Sequence, residues 1–208
     1  GLIGTIRNLI GDRIIPTDRT TPESVELQRV FRLMRDEGVQ LIVMEVSSHA
    51  LDQDRVHGIE YLIGGFTNLT QDHLDYHKTF EAYFAAKARL FSKDYPAKRV
   101  INIDSSWGKE LLKRTSANED VIITTGFDPS AQIHPVDVEY GSAQTRVELS
   151  VRGSNYTVTY PLVGRFNVEN VMTAFGVALQ LGYAPSAIVE ALRDVPAVPG
   201  RLQRVSVE

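Results

Sequence analysis

The run Val39-Gln40-Leu41-Ile42-Val43-Met44-Glu45-Val46 is apolar at every position but Gln40 and Glu45. Set off by Gly38 on one side and Ser47-Ser48-His49 on the other, it reads as a strand of a parallel sheet covered on both faces. Upstream, Leu27, Val30, Phe31 and Met34 fall at i, i+3, i+4 and i+7, the apolar stripe of an amphipathic helix. That helix is expected to begin near Pro22, with Thr21 as its cap and proline at the first helical position, and to stop at Gly38. Downstream, Ile59 to Phe66 reads as a second buried strand. Helix, buried strand, loop and buried strand in that order imply an α/β fold.

The alternation continues outward. A helix is expected over about Phe80 to Phe91, a strand at Val100 to Ile103, a helix near Ser106 to Lys113 and a strand at Val121 to Thr124. Then the pattern changes: Val147, Leu149 and Val151 alternate with polar residues, as do Tyr156, Val158 and Tyr160 beyond Gly153, which predicts a hairpin with one wet face. A helix carrying Val171, Ala174, Phe175, Ala178 and Leu179 follows, then one from Pro185 to about Arg193, and Pro196 and Pro199-Gly200 read as a linker. The first residues, Gly1 to Ile6, read as a strand without a start signal, and Arg204 to Glu208 as another strand-like run, so both ends are expected to lie inside a longer chain.

The 208 residues carry 22 Lys and Arg against 26 Asp and Glu, and 43% are hydrophobic, an ordinary globular composition. A net charge of −4 with no basic block argues against a nucleic-acid partner, which needs clustered cations to displace counterions. There is no cysteine, hence no disulfide or thiolate zinc site, which fits a reducing compartment; the cytoplasm is expected. No apolar run approaches the ~18 residues a membrane helix needs, so no membrane association is expected.

Several residues carry possible chemistry. Glu45 ends an apolar strand, at the edge where open α/β sheets bind ligands; it either pairs with a nearby Arg or Lys or serves a ligand. Asp72-His73-Leu74-Asp75-Tyr76-His77 puts two acids and two imidazoles within six positions, either a metal or proton-transfer cluster or a polar loop capping the next helix. Lys87 shares a helix face with Phe80, Phe84 and Phe91. Either its stem is buried with the amine in water, or its amine is held neutral and can react, for example with carbon dioxide. Ser47-Ser48-His49 is not a nucleophile with its base, because adjacent strand residues face opposite ways and no glycine flanks the serines. Gln53 and Arg55, two apart, can face one anionic ligand. No phosphate loop of the G-x-x-x-x-G-K-[ST] kind is present.

Thr20-Thr21-Pro22-Glu23, Met44 to Val56, Phe66 to His77 and Ala85-Ala86-Lys87, in that order, closely resemble the Mur ligases, nearest to the MurE type. The resemblance implies a phosphate-loop NTPase-like central domain over residues 1–198, a mostly parallel sheet flanked by helices with a small antiparallel hairpin. The first strand and phosphate loop would be missing, and 199–208 would be a linker into a C-terminal ligase domain. It implies an ATP-dependent ligase of bacterial peptidoglycan synthesis, joining meso-diaminopimelate, or else lysine, to UDP-N-acetylmuramoyl-L-alanyl-D-glutamate through an acyl phosphate. The parent would be a monomer, and this piece alone inactive.

Carried over by position, Glu45 and His73 match magnesium ligands, and Lys87 matches a lysine that the family N6-carboxylates. Thr20, Thr21, Ser47, Gln53 and Arg55 match residues holding the UDP-muramyl dipeptide. Asn167 and Asn170 match the segment lying against adenine, and Arg201 a nucleotide-contacting arginine. Two other readings stand beside this one: another ligase of the superfamily, of the folylpolyglutamate synthase or cyanophycin synthetase kind, and a non-catalytic nucleotide-sugar-binding module.

Overall fold

A computed structural model describes residues 1–92, 95, 98–115 and 121–196. The chain forms two compact units, one from Gly1–Glu60 with His73–Leu90, the other from Tyr61–Asp72 with the described residues from Phe91 onward.

The first unit holds short strands β1 (Leu2–Ile3), β2 (Asn8–Ile10), β3 (Arg13–Ile15) and β4 (Val43–Met44), in sheet order β3-β2-β1-β4. Only the β1–β4 pair is parallel. The buried eight-residue strand expected over 39–46 is thus corrected to two residues at a sheet edge. Val43 is 57% exposed and Leu41 43%, while Ile42 and Met44 are half-buried. The apolar run has one wet face, because β4 is paired on one side only in its sheet.

Helix α1 (Ser24–Asp36) buries Leu27, Val30 and Met34, the expected stripe. It starts two residues later than expected. Glu23 is its cap residue without a side-chain cap bond, and Thr21 is engaged elsewhere. At its end Gly38, at φ +77°, donates to Arg35 O at 3.0 Å while Val39 N donates to Met34 O at 3.0 Å, a Schellman closure that favours glycine. The unit continues with α2 (Ser48–Asp52), α3 (Leu74–His77) and α4 (Phe80–Ala88), the last continued by a 3₁₀ turn, Arg89–Phe91, where a single helix was expected.

The second unit is built on β5 (Ile63–Phe66), β6 (Lys98–Asn102), β7 (Ile122–Thr125), β8 (Ile133–Tyr140), β9 (Thr145–Val151) and β10 (Ser154–Tyr160), one sheet in the order β10-β9-β8-β7-β6-β5. The β5-β6-β7-β8 pairings are parallel, and β8-β9-β10 antiparallel. The predicted hairpin is therefore the end of this sheet, joined to it through β8. Its turn, Arg152-Gly153, has positive φ at both residues, the geometry that matches strand twist.

Helices α5 (Ser106–Arg114), α6 (Arg165–Gln180) and α7 (Pro185–Arg193) accompany the sheet. α6 lays Val168, Val171, Met172 and Phe175 into a core shared with Val100, Ile123, Ile133, Leu149 and Val158. The fit at α5 is close: a Cβ on Gly108 would stand 1.9 Å from Asn102 O. The chain is α/β, with a mostly parallel six-stranded sheet flanked by helices in one unit and a small mixed sheet in the other.

Candidate functional site

The first cluster in the first unit gathers at the carboxyl end of β4. Glu45 is exposed, and its Oε2 accepts bonds from Thr5 N at 3.1 Å and Thr5 Oγ1 at 2.7 Å. Thr5 Oγ1 also lies 3.1 Å from Thr20 Oγ1. Among the described residues no Arg or Lys pairs with Glu45, so the ion-pair alternative fails, and these bonds leave Oε1 open. Thr21, 1% exposed, donates from Oγ1 to Glu45 O at 2.9 Å and accepts from Ser47 N at 3.0 Å. That bridge is why Thr21 does not cap α1. It fixes the chain where β4 turns into α2.

Ser47 in turn caps α2, its Oγ accepting from Ala50 N at 3.2 Å. The serines therefore sit at a helix start, and the strand reading of Ser47-Ser48-His49 is corrected. Arg55 presents a side chain only 9% exposed. It donates to Thr21 O at 3.2 Å and, from Nε at 2.9 Å and again from Nη2, to Gln53 Oε1; Nη2 lies 3.3 Å from Glu23 Oε1. Thr20, Thr21, Ser47, Gln53 and Arg55 are thus brought together, with Glu45 among them.

A second cluster, of rings, is carried by α2, α3 and α4. His49 meets Tyr76 at 4.1 Å, His73 edge-on at 4.9 Å and His77 at 5.5 Å between ring centroids. His77, 8% exposed, stacks on Tyr83 at 5.1 Å and 14°, and its Nε2 is 2.8 Å from Ser48 Oγ. His73 meets Tyr83 edge-on at 5.8 Å, and Lys87 Nζ stands over the same ring at 5.3 Å. Half-buried Lys87 is therefore neither in the core nor free in water.

Burial pushes both His49 and His77 below the ordinary imidazole value, and positive neighbours add to it, His73 for His49 and His49 for His77. Tyr76 ties the two clusters together: its hydroxyl donates to Asp52 Oδ2 at 2.7 Å and accepts from Gln53 Nε2 at 3.2 Å. Among the described residues no group of three or more His, Cys, Asp or Glu could hold a metal. Glu45 belongs to the first cluster, and His73 and Lys87 to the second.

In the second unit Asn167, 7% exposed, spends its amide on Val163 O at 2.8 Å, while exposed Asn170 donates to Asn167 Oδ1 at 3.4 Å. Two residues before Asn167 the Arg165 guanidinium covers the Phe127 ring at 3.6 Å. Asp104 holds that ring's loop, accepting from Phe127 N at 2.9 Å and Asp128 N at 3.0 Å. Arg201, and the linker expected beyond Pro196, lie outside the described residues.

Sequence reasoning missed Thr5, Tyr83 and the Phe127–Arg165 pair. Tyr83 had a signal, lying four residues before Lys87 on the same helix; Thr5 and Phe127 had none, since long-range folding alone brings them to their partners.

These features define a class first: an α/β domain whose polar residues gather at the carboxyl end of a strand. The description of the Mur ligase middle domain matches residues 1–178, and the chain belongs to the Mur ligase family. It is 43% identical over 206 residues to the UDP-N-acetylmuramoyl-L-alanyl-D-glutamate--2,6-diaminopimelate ligase of Clostridium botulinum, covering 99% of this chain and 42% of that protein. The ligase of the same name from Lactiplantibacillus plantarum is 44% identical over 213 residues, covering 99% and 43%. A solved structure of an enzyme of that name superposes with a TM-score of 0.86 at 32% identity, covering 100% of this chain and 42% of that one. The chain thus spans about two fifths of the length of these relatives.

Proposed function

We propose that this chain is the ATP-binding middle portion of a ligase that adds meso-diaminopimelate to UDP-N-acetylmuramoyl-L-alanyl-D-glutamate in peptidoglycan synthesis. The observation that carries the reading is the convergence of Thr20, Thr21, Ser47, Gln53 and Arg55 beside Glu45, in a chain over two fifths identical to ligases named for that reaction. Those names favour diaminopimelate over lysine as the incoming amino acid. We assign residues 1–198 to the middle domain and 199–208 to the passage into the next. The reaction would run in the cytoplasm, where ATP is available; no helix among the described residues is long and apolar enough to cross a membrane.

In this reading Arg55, preorganised by Gln53 and Thr21, holds an anionic group of the dipeptide substrate, and its planar fork suits a carboxylate or phosphate. Thr5 pins Glu45 through one carboxylate oxygen and leaves the other for a cation. Lys87 Nζ, once deprotonated, adds to carbon dioxide: an N–C bond forms, a proton leaves, and the cation becomes a carbamate with oxygen donors. Glu45, His73 and the modified Lys87 would then hold Mg2+. That ion would neutralise charge between the ATP phosphates and the attacking carboxylate. Asn170, exposed on α6, and Asn167 and Arg201 would serve the nucleotide. The chain by itself is expected to be inactive.

The test is ligation of labelled meso-diaminopimelate to the UDP-dipeptide by the full-length protein, with ATP and Mg2+, against lysine as competitor. Product and ADP in equal amounts support the reading; ATP-independent binding of the UDP-sugar without product would replace it with a binding module.

A further inference from the structure

The structure assigns a positioning role to His77, a residue that none of the proposed ligand or substrate contacts uses. This inference rests on the reading of Glu45, His73 and Lys87 as the metal-holding groups and names what holds two of them in place.

α3 is four residues long, too short to persist on its own hydrogen bonds. It is also flanked by two non-glycine residues with positive φ, His73 at +54° and Lys78 at +67°. Such conformations are strained for residues with a Cβ and persist only where the surroundings over-determine them. Three contacts of His77 bear on this turn. Its backbone N–H donates to His73 O at 2.9 Å, closing the turn that holds His73 left-handed. Its Nε2 meets Ser48 Oγ at 2.8 Å in a buried bond, fastening α3 to the start of α2 beside Ser47.

Its ring stacks on Tyr83, the same ring that His73 meets edge-on and that carries Lys87 Nζ at 5.3 Å. The buried side chain thus joins α3, which follows His73, to the start of α2 beside Ser47 and to α4, which carries Lys87. A ring filling space would do the stacking equally well as phenylalanine; the bond to Ser48 requires a polar ring. Left without it, Ser48 Oγ would be a buried polar atom lacking this partner.

The experiment uses the full-length protein and measures the Mg2+ concentration giving half-maximal ligation, together with kcat, KM for ATP and thermal stability. His77→Phe keeps a stacking ring and removes the bond. Groups that orient metal ligands from behind change metal affinity by roughly 10- to 100-fold, so its Mg2+ requirement should rise about 10-fold with KM for ATP within about twofold. His77→Gln, which can still reach Ser48, should recover part of that shift.

If His77→Phe does not fold, Ser48→Ala removes the same bond from the other side and should move the Mg2+ curve in the same direction. A lowered melting temperature with an unmoved Mg2+ curve in both variants would reduce His77 to packing and overturn the inference. Glu45→Gln and His73→Asn are measured alongside. Should they leave the Mg2+ curve unmoved, the ligand assignment itself falls and takes this inference with it. Should they move it while the His77 and Ser48 variants do not, only the inference falls.

Discussion

The two units hold themselves together by different means. The second has strands of four to eight residues and a continuous apolar core under α6, in which Val100, Ile133, Val147, Leu149, Val158, Met172 and Phe175 are wholly buried. The first has strands of two and three residues and fastens its loops with polar bridges and rings: Thr21 between Glu45 and Ser47, Arg55 on Gln53, His77 between Ser48 and Tyr83. Apolar burial is non-directional and tolerant of placement, whereas hydrogen bonds demand geometry and cost more when half-made. The second unit thus rests on the larger apolar core, while most of the proposed metal and substrate groups hang on polar bridges in the first, although that unit also buries Ile3, Leu27, Met34, Leu51 and Phe84. Substitutions in the second should register as unfolding, and those in the first as lost function.

The sharpest test on the stability side is Phe175→Ala. The ring is fully buried in the second unit's core, and its removal should cost about 3–5 kcal/mol in denaturant unfolding, the usual range for a large core aromatic. A loss below ~1 kcal/mol would mean that the core is not where stability resides. The functional counterpart is Lys87→Ala. With the proposed carbamate gone, kcat of the full-length ligase should fall at least roughly a hundredfold, the scale for removing one group that balances charge in the reaction. Lys87 is half-buried in the last turn of α4, so unfolding should shift far less than for Phe175→Ala. Arg55→Lys comes next: a lysine keeps the charge and loses the planar fork, and KM for the UDP-dipeptide should rise about tenfold.

The pH dependence also separates the units. His49 and His77 both have folded-state values below the unfolded one, so in the range below about 6.5 the unfolded chain binds protons that the folded one refuses. The stability they confer is complete above that value and is lost as pH falls toward their depressed folded values. The groups around them oppose one another: His73 lowers both, Arg55 also lowers His49 and His49 lowers His77, while Asp52 and Asp75 raise both. Hydrogen exchange at pH 7.5 and 5.5 should show loss of protection in α2 and α3 before α6. Uniform loss in both units would contradict it.

How much was legible before the structure follows the same division. Elements whose signal is local and periodic were readable: the α1 stripe, the Pro185 start of α7, the alternation of β9 and β10. β8 was missed although Val136, Val138 and Tyr140 alternate with Asp137 and Glu139, because Pro135 interrupts the run and a register irregularity between Pro135 and Asp137 puts Ile133 out of phase with it. The 39–46 run was overread because a continuous apolar run does not reveal whether a second face is covered. Glu45, His73 and Lys87 stand out in the sequence as residues out of keeping with their neighbours, and their shared role as metal-holding groups is a proposal. The Thr5–Glu45 bond, spanning forty positions, and the Ser48–His77 bond were not, since neither leaves a local trace.

Two serines allow the finest comparison. Ser47 and Ser105 are both helix N-caps, accepting from Ala50 N at 3.2 Å and Gly108 N at 3.1 Å. Removing either hydroxyl forfeits one cap bond, so Ser47→Ala and Ser105→Ala should each cost about 1 kcal/mol. Ser105 caps α5, which has nine residues to spread the loss, and its variant should show that cost in unfolding alone. Ser47 caps a five-residue helix joined through Thr21 to Glu45, so its variant should show a similar cost together with a KM for the UDP-dipeptide raised several-fold. If the two variants lose stability alike and neither changes KM, the polar network of the first unit is scaffold only, and the division of labour between the units is wrong.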